Sequence, residues 1–192
     1  MEGAIIHGES LANLIKKSFK NDRKSQRILY EYYSPVMFSI CLRYAGDYHK
    51  AEDYLQEGFV RAFQNLHQFS FKGSFDGWLK RIFVNTCISE LRSSVAIYPL
   101  IEVKNIPDEN DTDDFFYADI PMEKILKMIQ ELPVGYRTIF NLYTIDGLSH
   151  DRISVELNIS VGTSKSQLAR ARVALQKKLK QLDIYPKEKA GR

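Results

Sequence analysis

The sequence has few cysteines, no clustered histidines and no long apolar run. Its two cysteines, Cys41 and Cys87, lie far apart and form no Cys-x-x-Cys motif, which argues against a zinc site and against a disulfide framework. No apolar run approaches the roughly 18 residues of a membrane span, and the N-terminus lacks a basic start followed by an apolar core. We therefore expect a cytoplasmic protein whose cysteines are reduced. We expect it to hold no metal or cofactor and not to insert into a membrane.

The net charge is also small. The formal charge is +3 over 192 residues, so the total charge alone does not indicate a nucleic-acid partner. With 44% hydrophobic and 27% charged residues, the chain is neither disordered nor fibrous, and its length suits one medium domain or two small ones. A large multidomain enzyme is excluded.

Residues 10–92 are predicted to be almost entirely helical, because apolar residues recur every three or four positions and strand-like alternation is scarce. Ser10 and Asp47 are suited to capping helix N-termini, and Gly46 to ending a helix. The pair Ser34-Pro35 predicts a break in the second helix. A loop over 69–74 precedes the last helix of this half, which we expect to form a compact helical domain, residues 1–92.

The segment 93–119 has seven acidic residues and one basic residue, and its helical periodicity fades. This composition predicts a flexible acidic linker. Beyond it, residues 120–192 read as four helices, the last two spanning Ser149 to Leu157 and Ser160 to about Leu182. The predicted fold class is therefore all-α, with two small helical domains and a helix-turn-helix at the end of the second.

The final helix has two faces. Its buried face is predicted at Val161, Ser164, Leu168, Ala171, Leu175, Leu179 and Leu182. The other face carries small and hydroxylated residues, which let a helix enter the major groove, together with bases that can reach phosphates or guanine edges. From Val161 to the C-terminus nine basic residues face two acidic ones. The alternative is an ordinary lysine-rich solvated helix.

The helix that starts after Asp47 carries an acidic face away from its apolar stripe, formed by Glu52, Asp53, Gln56 and Glu57. Paired carboxylates can serve acid–base catalysis, but this face has no histidine partner and no glycine-rich phosphate loop nearby. An enzymatic function is therefore the weakest hypothesis. Docking of a basic protein surface, or simple solvation, suits the face better.

A second polar face follows the loop, where Arg81, Asn85, Ile88 and Arg92 fall at helical spacing. Aromatic and basic residues precede it at Phe69, Phe71, Lys72 and Phe75. Aromatic rings beside bases are suited to stacking single-stranded nucleic acid or a flipped base. The alternative is that the rings complete the core, which we favour for Phe75 and Trp78, whereas Phe71 and Lys72 are expected to be exposed.

Five motifs occur in the order that a known family has them. They are Ala51-Glu52-Asp53-Tyr54-Leu55-Gln56-Glu57-Gly58-Phe59, Phe75-Asp76-Gly77-Trp78-Leu79-Lys80-Arg81-Ile82, Val84-Asn85-Thr86, Gly147-Leu148-Ser149 and the run from Ile159 to Arg172. Together they resemble an RNA polymerase sigma factor of the extracytoplasmic-function type, which keeps only regions two and four. The resemblance spans about residues 10–183.

The resemblance implies a function for each surface. Glu52, Asp53, Gln56 and Glu57 would dock on core RNA polymerase. The loop and the helix after it would recognise and melt the promoter −10 element and capture an extruded base. The residues implied at the −10 element are Phe71, Lys72, Gly73, Ser74, Arg81, Asn85 and Arg92.

The same resemblance places the final helix in the major groove of the −35 element. The residues implied there are Thr163, Lys165, Ser166, Ala169, Arg170 and Arg172. The acidic linker would thread the RNA-exit path of the polymerase, and an anti-sigma factor is an expected partner. The alternative function is a stand-alone helix-turn-helix regulator that dimerises through its first half.

Overall fold

The computed structural model describes residues 4–95 and 120–181, with the side chains of 93–95 and 181 left out. It divides into two compact units at Glu90 and Leu91, a boundary that falls inside one helix. Each unit is helical, which confirms the predicted all-α class. Most of the predicted acidic linker, residues 96–119, and the C-terminal residues 182–192, including Leu182, lie outside the described residues.

The first unit begins with a short antiparallel hairpin and continues as four helices. The strands are β1 (Ile5–Ile6) and β2 (Glu9–Ser10), and the helices are α1 (Leu11–Phe19), α2 (Arg23–Ala45), α3 (Tyr48–Gln64) and α4 (Phe75–Val95). A 3-10 turn, Leu66–Gln68, follows α3. The hairpin was not predicted, because two-residue strands are too short to show alternation. Helix α4 extends three residues into the segment predicted as linker.

Side-chain caps define the helix starts of this unit, as predicted at two of them. Ser10 accepts a hydrogen bond from the Asn13 backbone N at 3.3 Å, and Asp47 accepts one from Lys50 N at 2.9 Å. Gly46 ends α2 in the left-handed conformation with φ +84°, where a residue without a Cβ carries little strain. These local contacts satisfy backbone groups that the helices leave open.

The predicted break at Ser34-Pro35 is wrong, because α2 runs through Pro35 without interruption. Proline in a helix interior removes one backbone hydrogen bond and costs about 3 kcal/mol. The helix nevertheless continues because its apolar stripe stays in register on both sides, from Leu29 and Tyr33 to Met37 and Ile40, all of which are buried. Burying each such side chain contributes about 1.5–3 kcal/mol.

Helix α3 packs closely against α4 at Gly58. A Cβ at position 58 would lie 2.6 Å from Cδ1 and 2.7 Å from Cζ of Phe83, and that ring is fully buried. The Phe59 ring meets the same Phe83 ring at 5.1 Å between centroids. The glycine in the middle of α3 is therefore explained by packing.

Over residues 120–181 the second unit has four helices and one π-helical turn. The helices are α5 (Met122–Gln130), α6 (Val134–Phe140), α7 (His150–Leu157) and α8 (Val161–Gln181), and the π-helical turn is Asn141–Ile145. Buried Arg137 donates from Nη1 to the carbonyl oxygens of Gln130 at 2.7 Å and Leu132 at 3.1 Å. It thereby satisfies backbone acceptors at the C-terminal end of α5.

Helices α7 and α8 form the predicted helix-turn-helix. Ser149 caps α7 by accepting from Arg152 N at 3.2 Å. Asn158 ends α7 with φ +53°, and Ile159 N donates to the Ser154 carbonyl at 3.0 Å. Within the described ranges, no helix is long and apolar enough to cross a membrane.

Candidate nucleic-acid interfaces

Helix α8 presents two faces, as its sequence pattern predicted. Ser164, Leu168, Ala171, Leu175 and Leu179 are buried, and Gln167, which the pattern missed, is buried with them. Val161, which was predicted on the buried face, is only half-buried at the first position of the helix. On the opposite side Lys165 and Arg172 are exposed, while the other four predicted reading residues are half-buried. Those four are Thr163, Ser166, Ala169 and Arg170.

Hydroxyl groups organise the first turn of α8. The Ser160 Oγ accepts from Thr163 N at 2.9 Å and lies 2.8 Å from the Thr163 Oγ1. Ser166 donates to the Thr163 carbonyl at 3.0 Å. A hydroxyl has two acceptor lone pairs and one donor, so Thr163 and Ser166 retain acceptor capacity for a base or phosphate partner.

His150 joins the two helices of the helix-turn-helix. Its ring stacks on Tyr143 with centroids 4.3 Å apart, and its Nδ1 lies 2.8 Å from the Oγ of buried Ser164. Burial lowers the pKa of His150, and the charges of Lys165 and Arg172 lower it further against a small opposing effect of Asp151. The sequence pattern does not indicate this contact, because His150 and Ser164 lie fourteen residues apart.

The loop before α4 carries an aromatic cluster. The Phe69 ring lies 4.9 Å from Phe71, 5.3 Å from Phe75 and 5.5 Å from Trp78 between centroids. Phe75 is buried and Trp78 half-buried, so Phe75 belongs to the core as predicted, and Phe69 is buried with it. Phe71 and Lys72 are exposed, also as predicted.

Phe71 adopts an unusual backbone conformation, with φ +59°. A bulky side chain at positive φ is strained by about 1–3 kcal/mol and persists only where the surroundings impose it. The strain presents the ring toward solvent with 38% of its surface exposed. Such strain at an exposed aromatic residue is typical of a functional loop.

Two contacts hold the end of this loop. Ser74 accepts from Gly77 N at 3.1 Å and so caps the start of α4. The Tyr33 hydroxyl of α2 donates to the Asp76 carboxylate of α4, and burial first, then this carboxylate, raises the pKa of Tyr33. Gly73 and Ser74 are exposed between these anchors. The loop is therefore fixed at its α4 end.

The outer face of α4 is polar at Arg81, Asn85 and Arg92, all of which are exposed. Ile88, predicted to share this face, is buried with 3% of its surface exposed. That part of the prediction is wrong, because an isoleucine gains free energy by leaving water even when its helical position lies beside a polar face.

The acidic face of α3 is exposed at Glu52, Asp53 and Gln56. Glu57 is half-buried and accepts from Arg61 Nε at 2.6 Å, and the same guanidinium lies 3.6 Å from the Glu90 carboxylate. Glu57 is therefore paired with a basic neighbour, whereas Asp53 faces solvent. In the part of the chain that the structure describes, no three histidine, cysteine or acidic side chains are placed to hold a metal ion.

An exposed aromatic loop beside a basic helix face in one unit, and a helix-turn-helix in the other, define a modular DNA-binding protein of transcription. The family models Sigma-70 region 2 and Sigma-70, region 4 match residues 29–96 and 122–175. The ECF RNA polymerase sigma factor SigW of Bacillus subtilis (strain 168) is 32% identical over 183 residues, covering 88% of this chain and 96% of the relative. The chain belongs to the ECF family of RNA polymerase sigma factors.

Other relatives extend the same comparison. The ECF RNA polymerase sigma-E factor of Escherichia coli (strain K12) is 29% identical over 182 residues, covering 88% of this chain and 94% of the relative. Among solved structures, the sigma factor RpoE in complex with the anti-sigma factor NepR from Bartonella quintana is 23% identical. The match covers 83% of this chain and 97% of that chain, with a TM-score of 0.48.

Proposed function

We propose that this sigma factor binds core RNA polymerase and directs initiation at promoters whose −35 and −10 elements its two units recognise. The observation that carries the proposal is the match of both the region 2 and the region 4 models to one chain. In this assignment residues 1–92 bind core and the −10 element, residues 93–119 link the domains, and residues 120–192 bind the −35 element. We place the protein in the cytoplasm with its polymerase.

The first unit is proposed to open the −10 element by capturing a base. Phe71, exposed beside Phe69, offers a ring on which an unstacked base can lie, and Lys72, Arg81 and Asn85 surround the path of the strand. No bond is made or broken by the sigma factor in this step. A surface that binds the open strand better than the duplex shifts the population toward the open state.

The second unit is proposed to place the first half of α8 in the major groove. Exposed Lys165 and Arg172 are suited to phosphates or guanine edges, and Thr163, Ser166 and Ala169 are small enough for close approach. Arg170, which is half-buried, is proposed to read a base from the edge of this face. Helix α7 positions α8 through the contact between His150 and Ser164.

The acidic face of α3 is proposed to dock on a basic surface of core polymerase. Glu52, Asp53 and Gln56 are exposed for this contact, and Glu57 flanks them. The stand-alone regulator predicted as an alternative is not favoured, because the region 2 model matches α2, α3 and α4 of this chain. An anti-sigma factor is proposed as a further partner, as the sequence resemblance implies.

Run-off transcription on a promoter library tests the proposal. Purified core polymerase is mixed with the full chain and with random sequences at the −35 and −10 positions, and transcripts are sequenced. We expect transcripts that depend on the added chain and that are enriched for two sequence elements. Core-dependent transcription without enrichment, or enrichment without core, would contradict the proposal.

A further inference from the structure

A basic corner joins α1 to α2, outside every surface assigned above. All of its basic side chains are exposed. We call it the corner patch, and its residues are Lys16, Lys17, Lys20, Arg23, Lys24 and Arg27.

The turn between the helices brings these residues together. Asn21 adopts φ +59°, Asp22 N donates to the Lys17 carbonyl at 3.2 Å and Asn21 N donates to the Ser18 carbonyl at 3.0 Å. This pair of bonds is a Schellman arrangement, which ends α1 and turns the chain sharply. Asp22 then caps α2 by accepting from Ser25 N at 2.9 Å. The last turn of α1 therefore lies beside the first turn of α2.

The corner patch keeps an excess of positive charge. Lys17 lies 2.6 Å from the Glu9 carboxylate and Arg27 lies 2.7 Å from Glu31. The Asp22 carboxylate is engaged in capping, and its pKa is lowered first by hydrogen bonds from Ser25 and then by nearby lysines. Six bases against these three acids leave a net charge of +3 on two helical turns.

The patch is continuous with the aromatic loop. The Lys16 ammonium lies 6.0 Å from the centroid of the Phe71 ring, a distance at the edge of a cation–π contact. Helix α1 also packs against the 3-10 turn that leads into the loop. A strand whose base stacks on Phe71 therefore has the corner patch directly beside it.

We propose that the corner patch binds the sugar-phosphate backbone of promoter DNA next to the segment engaged by the Phe71 loop. This inference rests on the proposed function. The patch consists of exposed lysines and arginines at helix ends, and such side chains are suited to phosphate contacts. The patch supplies affinity and salt dependence, and the sequence preference comes from the other surfaces.

The test compares two double variants of the full chain assembled with core polymerase. Lys20→Gln/Lys24→Gln removes two charges from the patch, and Lys124→Gln/Lys127→Gln removes two exposed charges from α5 as a matched control. Affinity for a promoter obtained from the run-off experiment is measured between 50 and 200 mM salt, on a closed duplex and on a fork with a single-stranded −10 segment.

We expect the patch variant to reduce the slope of log affinity against log salt by about 1.4 on single-stranded contacts or about 1.8 on duplex contacts. The wild type then loses about tenfold more affinity than the variant over this salt range. The DNA form on which the slope changes, the closed duplex or the fork, is the form that the patch contacts. Arg23→Gln provides a second variant, with about half the effect.

The outcomes separate the two proposals. If the wild type directs no core-dependent transcription, the proposed function fails. If the wild type initiates but the patch variant keeps its slope on both DNA forms, the corner patch does not bind DNA and the inference is overturned. A variant that loses core binding instead also overturns it, since the patch then contacts protein.

Discussion

The surfaces that we propose for DNA binding differ in construction between the two units. In the second unit the surface is the regular helix α8, started by Ser160 and held by buried Leu168 and Ala171. In the first unit the surface includes a strained loop, with Phe71 at φ +59°. A duplex groove has a fixed shape that a regular helix fits. An extruded base has no duplex to define its position, so the protein must hold a ring in place for it.

The largest expected effect is a loss of affinity for core polymerase, caused by a substitution in the first unit. Asp53→Lys places a positive charge on the acidic face of α3, and we expect core affinity to fall by about 3 kcal/mol, or over about 100-fold, because like charges at an interface are costly. Glu57→Gln should have a smaller effect, since Glu57 already shares its charge with Arg61. Binding is measured by titration of labelled core.

Binding of the full-length Asp53→Lys variant to an isolated −35 duplex is the control. It should equal wild type, because α8 lies in the other unit. Equal core affinity of variant and wild type would contradict the docking assignment.

The next prediction concerns the thermal stability of each unit, which a glycine-to-alanine substitution should change differently in the two units. Gly58→Ala forces a Cβ against the buried Phe83 ring, and such overpacking costs about 1–3 kcal/mol. In a domain of this size each kcal/mol lowers the melting temperature by about 4–8 °C. The single tryptophan, Trp78, lies in the first unit, so its fluorescence during a thermal melt measures the change there.

Gly162→Ala is the matched control in the second unit. A Cβ at position 162 meets only the Ser160 Oγ at 3.7 Å, an ordinary contact, and alanine is favoured over glycine in a helix by up to about 1 kcal/mol. We therefore expect equal or higher stability, read from hydrogen exchange of α8. A fall in stability as large as that of Gly58→Ala would show that packing does not distinguish the two glycines.

A third prediction concerns the strained loop. Phe71→Ala and Phe71→Gly both remove the ring, and we expect promoter opening to weaken by about 1–3 kcal/mol, the value of one base stacked on an aromatic residue. Glycine tolerates φ +59° and alanine does not, so the glycine variant should be the more stable by about 1 kcal/mol. Opening is measured by permanganate reactivity of unpaired thymines.

Both variants lack the ring, so base stacking predicts the same loss of promoter opening in each. If promoter opening instead differs between them in step with their stabilities, the base-stacking assignment is contradicted. Closed-complex formation at low temperature provides the control, because duplex binding through α8 does not need Phe71.

Local signals in the sequence predicted much of the fold. Ser10, Asp47 and Ser149 are caps whose partners lie three residues away, and the buried face of α8 repeats every three to four residues. Such features are local, so the pattern contains them. The continuity of α2 through Pro35 was not predictable, because it depends on burial by other helices outweighing a local penalty. The same holds for the close approach of Gly58 to Phe83, because these two residues come together only when α3 and α4 pack.

The candidate sites were less predictable than the fold. Exposure of Phe71 and Lys72 was predicted, whereas the positive φ of Phe71 is a backbone conformation that no sequence pattern indicated. The ion pair of Glu57 with Arg61 draws one member of the acidic face inward. The contact between His150 and Ser164 arises only when α7 and α8 fold together.

The smallest expected effect is a pH dependence confined to the second unit. His150 is kept neutral by burial and by Lys165 and Arg172, so its folded pKa lies below the usual 6.5. Well above pH 6.5 the imidazole is neutral in both states and contributes no pH dependence. As pH falls below 6.5 the unfolded chain takes up the proton first, and stability decreases until the folded imidazole also becomes protonated.

His150→Gln should remove this decrease, measured as hydrogen exchange of α8 between pH 5 and 7, after correction for the intrinsic exchange rate. His67→Gln, an exposed change in the first unit, should leave it unaltered. An unchanged pH dependence in His150→Gln would assign the loss of stability at low pH to other groups of the second unit.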